Sequence, residues 1–253
     1  KWGVIGTGHM ANIFAEAIQE IDNAKLVAVS SRTKKSLEIF GDRFNIMKNL
    51  RFINNEEICA SEEVNAIYIS TLNNTHFDLI KLCAGNKKNI LCEKPFCLNL
   101  NEAKELKKII ITNKVMFFEA IAYLSHPQTD RIIDLINNNE IGEIISIEST
   151  FGFKVRKIDP ESRLFNKKLG GGAILDVGCY PMSFISLFLK NRNRIFFNKV
   201  EGEICHTNVD IAASANITIN DKIECKIAIS LREYFKNSSI IKGTKGNMII
   251  GFP

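Results

Sequence analysis

Val4-Ile5-Gly6-Thr7-Gly8-His9-Met10-Ala11, close to the start of the chain, decides the reading of the fold. Trp2, Val4 and Ile5 lead into Gly-x-Gly-x-x-Ala, and an apolar pattern at helical spacing follows through Met10, Ala11, Phe14, Ala17, Ile18 and Ile21. Strand, glycine turn and helix in that order make the fingerprint of a dinucleotide-binding unit. Gly6 permits the tight turn, Gly8 lets the backbone approach a pyrophosphate, and Ala11 lets the helix lie close on the strand. The helix start, with His9 and Met10, offers backbone N–H groups and a partial positive charge to phosphates. Without a ligand the same residues would make only a tight turn.

The second strand, Lys25 to Arg32, ends in Ser30-Ser31-Arg32 with Thr33-Lys34-Lys35 behind it and no acidic residue. An NAD site usually places Asp or Glu here, on the ribose 2′-hydroxyl. A hydroxyl and a planar guanidinium suit a 2′-phosphate instead. Ser31 and Arg32 therefore favour NADP over NAD, unless Arg32 sits on an ordinary solvated turn. Thr33 reads as the cap of a helix carried by Ser36 to Phe44, and residues 54–61 as a short helix. Val64 to Ser70 reads as a buried strand followed by the loop Thr71-Leu72-Asn73-Asn74-Thr75-His76. Loops at the carboxyl ends of strands are where open α/β sheets bind ligands. Thr71, Asn73 and His76 are thus candidates for the ribose and nicotinamide end, with helix capping the alternative for His76.

Asn89 to Cys92 is the next strand, and it runs into Glu93-Lys94-Pro95-Phe96. A carboxylate and an amine stand side by side at a strand end, and the proline restricts Lys94 to extended or cis geometry. Asn99 or Asn101 caps a helix from Glu102 to Thr112, and Val115 to Glu119 is a closing strand.

With 253 residues, 45% hydrophobic and 24% charged, the chain holds one large globular domain or two ordinary ones. The net charge of +5 comes from scattered lysines, which argues against nucleic-acid binding. Seven cysteines lack CxxC spacing and several sit in apolar runs, so reduced, mostly buried thiols and a cytoplasmic location are expected. No metal site is expected. No apolar run reaches membrane-spanning length. No signal peptide is visible, although the chain opens on a strand without an initiating Met, which leaves room for missing residues or a removed leader.

In the second half, Ile132, Ile133, Leu135 and Ile136 mark an amphipathic helix, and Ile144 to Phe153 a strand. The basic loop that follows, with Lys154, Arg156, Lys157 and Arg163, reads as a substrate mouth or as solvated surface. Gly170-Gly171-Gly172 opens a helix on which Asp176 and Tyr180, four apart, share one face. That pair is structural or, together with Lys94, catalytic. Alternating stretches at Ile211–Ile219, Ile223–Leu231 and Met248–Ile250 read as successive antiparallel strands.

The chain resembles the Gfo/Idh/MocA oxidoreductases. The resemblance rests on Gly6 to Ala11, Val29-Ser30-Ser31-Arg32, Glu93-Lys94-Pro95, Glu119 with His126-Pro127-Gln128, Gly170 to Tyr180, and Lys242-Gly243-Thr244-Lys245-Gly246. These fall in the family's order across nearly the whole chain. Leu72 departs from a common proline. The resemblance implies a Rossmann domain over residues 1–121 and an α+β domain over 122–253 with an open, mostly antiparallel sheet. It also implies homodimers or homotetramers formed through that sheet, and a chain cut short at Pro253. Tyr180 is similar to the branch holding dihydrodiol and xylose dehydrogenases. The expected reaction is hydride transfer between NADP (or NAD) and a hydroxyl or ketone carbon of a sugar, cyclitol or small polyol.

Lys94 and Tyr180 are the proton-handling candidates, with Asp176 orienting the substrate or Lys94. In one assignment Tyr180 exchanges the proton and Lys94 tunes it; in the other Lys94 is the acid/base and Tyr180 positions. Glu93 supports the cofactor ribose or sits behind Lys94. A non-catalytic, redox-sensing NADP-binding protein and an interaction module built on the second sheet are the competing readings.

Overall fold

The structure, a computed structural model, describes residues 1–189 and 194–251. The chain divides into two compact units, Lys1–Ala120 and Ile121–Pro253.

The first unit is a six-stranded parallel sheet with helices on it. In chain order it runs β1 (Trp2–Ile5), α1 (His9–Ala17), β2 (Leu26–Ser30), α2 (Lys34–Arg43), β3 (Arg51–Phe52), α3 (Asn55–Ala60) and β4 (Ala66–Ile69). It continues with α4 (His76–Gly85), β5 (Asn89–Cys92), α5 (Leu100–Asn113) and β6 (Phe117–Glu119). The strand order is β3-β2-β1-β4-β5-β6, the doubly wound order of dinucleotide-binding sheets. The reason lies in composition. Val4, Ile5, Ala28, Val29, Ile67, Ile69 and Ile90 are buried from both sides, as central parallel strands require. Caps fix the helix starts. Thr33 accepts from Ser36 N at 3.4 Å, and Asn99 accepts from Glu102 N at 3.0 Å while the Glu102 carboxylate takes Leu98 N at 2.8 Å. Asn99, not Asn101, is therefore the cap. The two-residue β3 is too short to leave a pattern in the sequence.

The second unit begins with α6 (Pro127–Asn137), β7 (Ile144–Gly152), α7 (Ala173–Asp176) and α8 (Cys179–Ser186). The strands β8 (Ile195–Ile204), β9 (Asp210–Ile219), β10 (Ile223–Ser230), β11 (Ser238–Gly243) and β12 (Asn247–Gly251) follow. Its sheet has the order β12-β11-β7-β10-β9-β8. All neighbours are antiparallel except β7 and β10, which run parallel. Two expectations change. Strands β8, over Ile195–Ile204, and β11, over Ser238–Gly243, lie where the sequence reading placed no strand. The strands after residue 200 are not a simple succession, because β7 sits between β10 and β11.

The stretch from Gly170 to Tyr180 also departs from the sequence reading. It is not one helix. Asp176 ends α7, Val177 and Gly178 intervene, and α8 starts at Cys179. The Tyr180 N–H bonds to Val177 O at 3.2 Å rather than to Asp176. The four-residue spacing therefore does not put Asp176 and Tyr180 on one helical face. Gly178 makes the break: a β-carbon there would stand 2.5 Å from Ile174 O, so only glycine lets the chain pass that close.

None of the seven cysteines, all among the described residues, is in a disulfide, and all but the half-buried Cys179 are buried. Among the described residues no helix is long and apolar enough to cross a membrane, and no three His, Cys, Asp or Glu side chains gather as a metal site would need.

Candidate functional site

In the first unit every candidate side chain lies at or just beyond the carboxyl end of a strand. Gly6 follows β1 with φ +103°, and a β-carbon there would stand 2.7 Å from Ser70 O. The turn thus closes against the end of β4. Gly8 is different. It caps α1 in extended geometry with no side-chain cap, and a β-carbon on it would meet nothing within 4 Å. His9 and Met10 are exposed, while Ala11 is fully buried under the helix. Asn12 braces the loop from behind, donating to Gly8 O at 2.8 Å and Thr7 O at 3.3 Å, and Arg43 donates to Asn12 at 2.8 Å. An uncapped helix start beside open space suits an anion, because its first N–H groups have no partner in the helix. The residues therefore fit the dinucleotide expected of the fold.

Ser31, just past β2, has its hydroxyl 3.2 Å from that of Thr7, which ties the β2 end to the glycine loop. Arg32 is exposed beside it. Past β4, the Thr71 and Thr75 hydroxyls are 2.7 Å apart and Asn73 is buried.

His76 is completely buried. Its Nδ1 lies 2.8 Å from Pro95 O and its Nε2 3.3 Å from Thr71 O. The shorter contact makes Nδ1 the donor of the neutral ring. Burial holds the imidazole below its ordinary pKa, outweighing the two carbonyls that favour the charged form. His76 has no exposed surface, and its ring lies between two backbone carbonyls. Its position is that of a brace between the Thr71 loop and the Pro95 turn.

Glu93 accepts a hydrogen bond from the Tyr68 phenol at 2.6 Å. Tyr68 is buried and stacked on Phe14, with centroids 4.3 Å apart, and burial and the Glu93 charge push its phenol above the usual range. Lys94 follows, half-buried, with a cis bond to Pro95.

Glu119 was read in the sequence only as a strand end and motif piece. At the end of β6 its carboxylate accepts from Phe96 N at 3.1 Å. Burial raises its pKa and the Glu93 charge adds to that, while the Phe96 N–H and the Lys94 charge oppose. Its signal in the sequence was its place at the carboxyl end of a strand, a criterion applied to Glu93 and not carried to β6.

In the second unit, Asp176 is buried and bonded to Arg163 Nη1 at 2.7 Å. Arg163 of the basic loop is thus tied to a site candidate while itself remaining exposed, as are Lys154, Arg156 and Lys157. Arg156, from the same loop, lines a cavity of about 380 Å³ together with Phe165, Cys205, His206 and Arg232. Tyr180 is half-buried and stacks on Phe151, with centroids 4.6 Å apart and an interplanar angle of 12°.

Comparison with known proteins bears on the fold and the family. Residues 1–121 match an oxidoreductase family model with an NAD-binding Rossmann fold, and residues 129–249 match the Gfo/Idh/MocA C-terminal domain. A trans-1,2-dihydrobenzene-1,2-diol dehydrogenase of Xenopus tropicalis is 29% identical over 97% of this chain and 73% of its own length. An NADP-dependent D-xylose 1-dehydrogenase of Haloferax volcanii is 28% identical over 81% of this chain and 62% of its own. Among solved structures, a 3-ketoreductase of Actinomadura kijaniata with NADP and TDP-benzene superposes with a TM-score of 0.85 at 22% identity. It is matched over 98% of this chain and 75% of its own. With both of its units matched, the chain belongs to the Gfo/Idh/MocA family of NAD(P)-dependent oxidoreductases.

Proposed function

We propose that the protein moves hydride between NADP(H) and a hydroxyl or ketone carbon of a sugar, cyclitol or related small polyol. The observation that carries this reading is the uncapped α1 start at Gly8 on the same sheet edge as the Lys94 turn. Relatives named as dihydrodiol and NADP-dependent xylose dehydrogenases support the substrate class.

Gly6, Gly8, His9 and Met10 would hold the pyrophosphate, and Ser31 and Arg32 the 2′-phosphate. Thr71, Asn73 and Glu93 would serve the ribose and nicotinamide end. When bound, the nicotinamide supplies or accepts the hydride. The chain's own residues must then manage the proton on the reacting oxygen. Lys94 donates to that oxygen, Tyr180 exchanges its proton, and Asp176, held by Arg163, orients the substrate.

Lys94→Met and Tyr180→Phe test the two residues. Each is expected to lower turnover about 10²- to 10⁴-fold with NADPH still bound. Near-normal turnover in both would overturn the mechanism. NADPH should bind more tightly than NADH, with the difference largely lost in Arg32→Ala; equal affinities in the wild type would remove the 2′-phosphate reading. A cofactor-binding regulator would bind NADPH, consume none with any aldose, ketose or diketone offered, and form none from NADP+ with any diol.

The outermost strand of the second sheet supports self-association through that sheet. Every residue of β8 is exposed, including Ile195, Phe196, Phe197, Val200 and Ile204. Light scattering should give a dimer or tetramer that Phe197→Glu weakens.

A further inference from the structure

We propose that Glu119 is a positioning residue for Lys94, acting by clamping the turn that carries it. This rests on the reading of Lys94 as a proton-handling group.

The turn from Glu93 to Phe96 is anchored on several sides. The Glu93 N–H donates to Ile69 O at 2.9 Å, on β4. Pro95 O accepts from the buried His76 ring at 2.8 Å. Phe96 N–H donates to the Glu119 carboxylate at 3.1 Å, on β6. Glu119 is itself fixed: it is paired with Cys92 in the sheet register, and the next N–H, of Ala120, donates to Cys92 O at 2.7 Å. The residues on both sides of Lys94 are thus tied to other elements of the sheet edge. On the carboxyl side His76 ties Pro95 and Glu119 ties Phe96, and Glu119 lies close enough for the Lys94 charge to act on its ionisation.

A half-buried carboxylate is a costly way to satisfy one N–H, since burial penalises its charge. Its location makes sense if the turn needs a rigid acceptor of that reach. Displacing a reacting group by about 1 Å can cost about 10²-fold in rate. Loosening this tie should therefore act on turnover through Lys94.

The test compares Glu119→Ala, Glu119→Asp and Glu119→Gln. Gln keeps an acceptor at the same reach, while Asp is one methylene short. Turnover is read with NADP and D-xylose or trans-1,2-dihydrobenzene-1,2-diol. A second readout needs no substrate: the rate at which acetic anhydride labels Lys94, followed by mass spectrometry, with Lys226 as an internal control. Ala and Asp are expected to lower kcat at least about tenfold with KM within threefold. They should also speed Lys94 labelling at least about threefold without changing Lys226, and Gln should restore both to within about threefold. In a Lys94→Met background, Glu119→Ala should cause no further loss, because the two act as a unit. If Ala does not fold, Asp carries the same comparison.

Wild-type kcat and labelling in Ala or Asp would overturn the proposal. So would Gln as damaged as Ala, or additive losses with Lys94→Met. Normal turnover in Lys94→Met would overturn the catalytic reading of Lys94 instead, and the labelling rates would still decide whether Glu119 holds the turn.

Discussion

Two glycine-led segments open helices in this chain, and they use glycine for opposite purposes. At Gly6-Thr7-Gly8, the first glycine packs against Ser70 and the second faces open space at an uncapped helix start. At Gly170-Gly171-Gly172 the neighbouring groups come in closer. A β-carbon on Gly171 would stand 2.7 Å from Leu164 O, and one on Gly172, at φ +124°, would run into the Asp210 carboxylate. That carboxylate already takes the Ile174 N–H at 2.6 Å, so the start of α7 has its own anion. The first segment leaves donors for a ligand; the second spends its glycines on close packing of the chain. A glycine motif is therefore not evidence of a phosphate site until the space around the glycine is known.

This contrast is sharpened by substitution. Gly172→Ala combines a left-handed φ with a collision on Asp210, and should destabilise the protein by about 3 kcal/mol or more. Thermal or urea unfolding measures it, and a loss below 1 kcal/mol would break the comparison. Asp210→Ala removes the cap of α7 and should cost about 1 kcal/mol, with Asp210→Asn recovering part.

The smallest effect belongs to His76. Its folded pKa lies below the ordinary value of 6.5, so the unfolded chain binds its proton first as pH falls. The stabilising contribution is whole above pH 6.5 and is lost as pH drops toward the folded value. Between pH 6.5 and 5, His76→Gln should show a shallower fall in melting temperature than wild type. Equal slopes would mean the ring is not held neutral.

The first unit was legible because its signals are local. A strand, a glycine turn and a capped helix each occupy a few contiguous residues, and parallel strands buried on both faces read as apolar runs. Ser31, Glu93 and Lys94 could be placed from their strand ends alone. The second unit was less so. The parallel partner of β7 is β10, about 80 residues later in the chain, and no local pattern announces such a pairing. The break between Asp176 and Tyr180 escaped because the apolar spacing runs on across it, although Gly178 was the available signal. His76 was ambiguous until its two carbonyl neighbours were known, and Glu119 acquired meaning only through Phe96, twenty-three residues away.

The account turns on the open helix start at Gly8, and a fluorescence titration of NADPH onto wild type and Gly8→Val tests it most directly. With unfolding transitions unchanged, the variant should bind at least about tenfold more weakly, because its side chain fills space that meets no protein atom. Undiminished NADPH affinity in a folded Gly8→Val protein would contradict it.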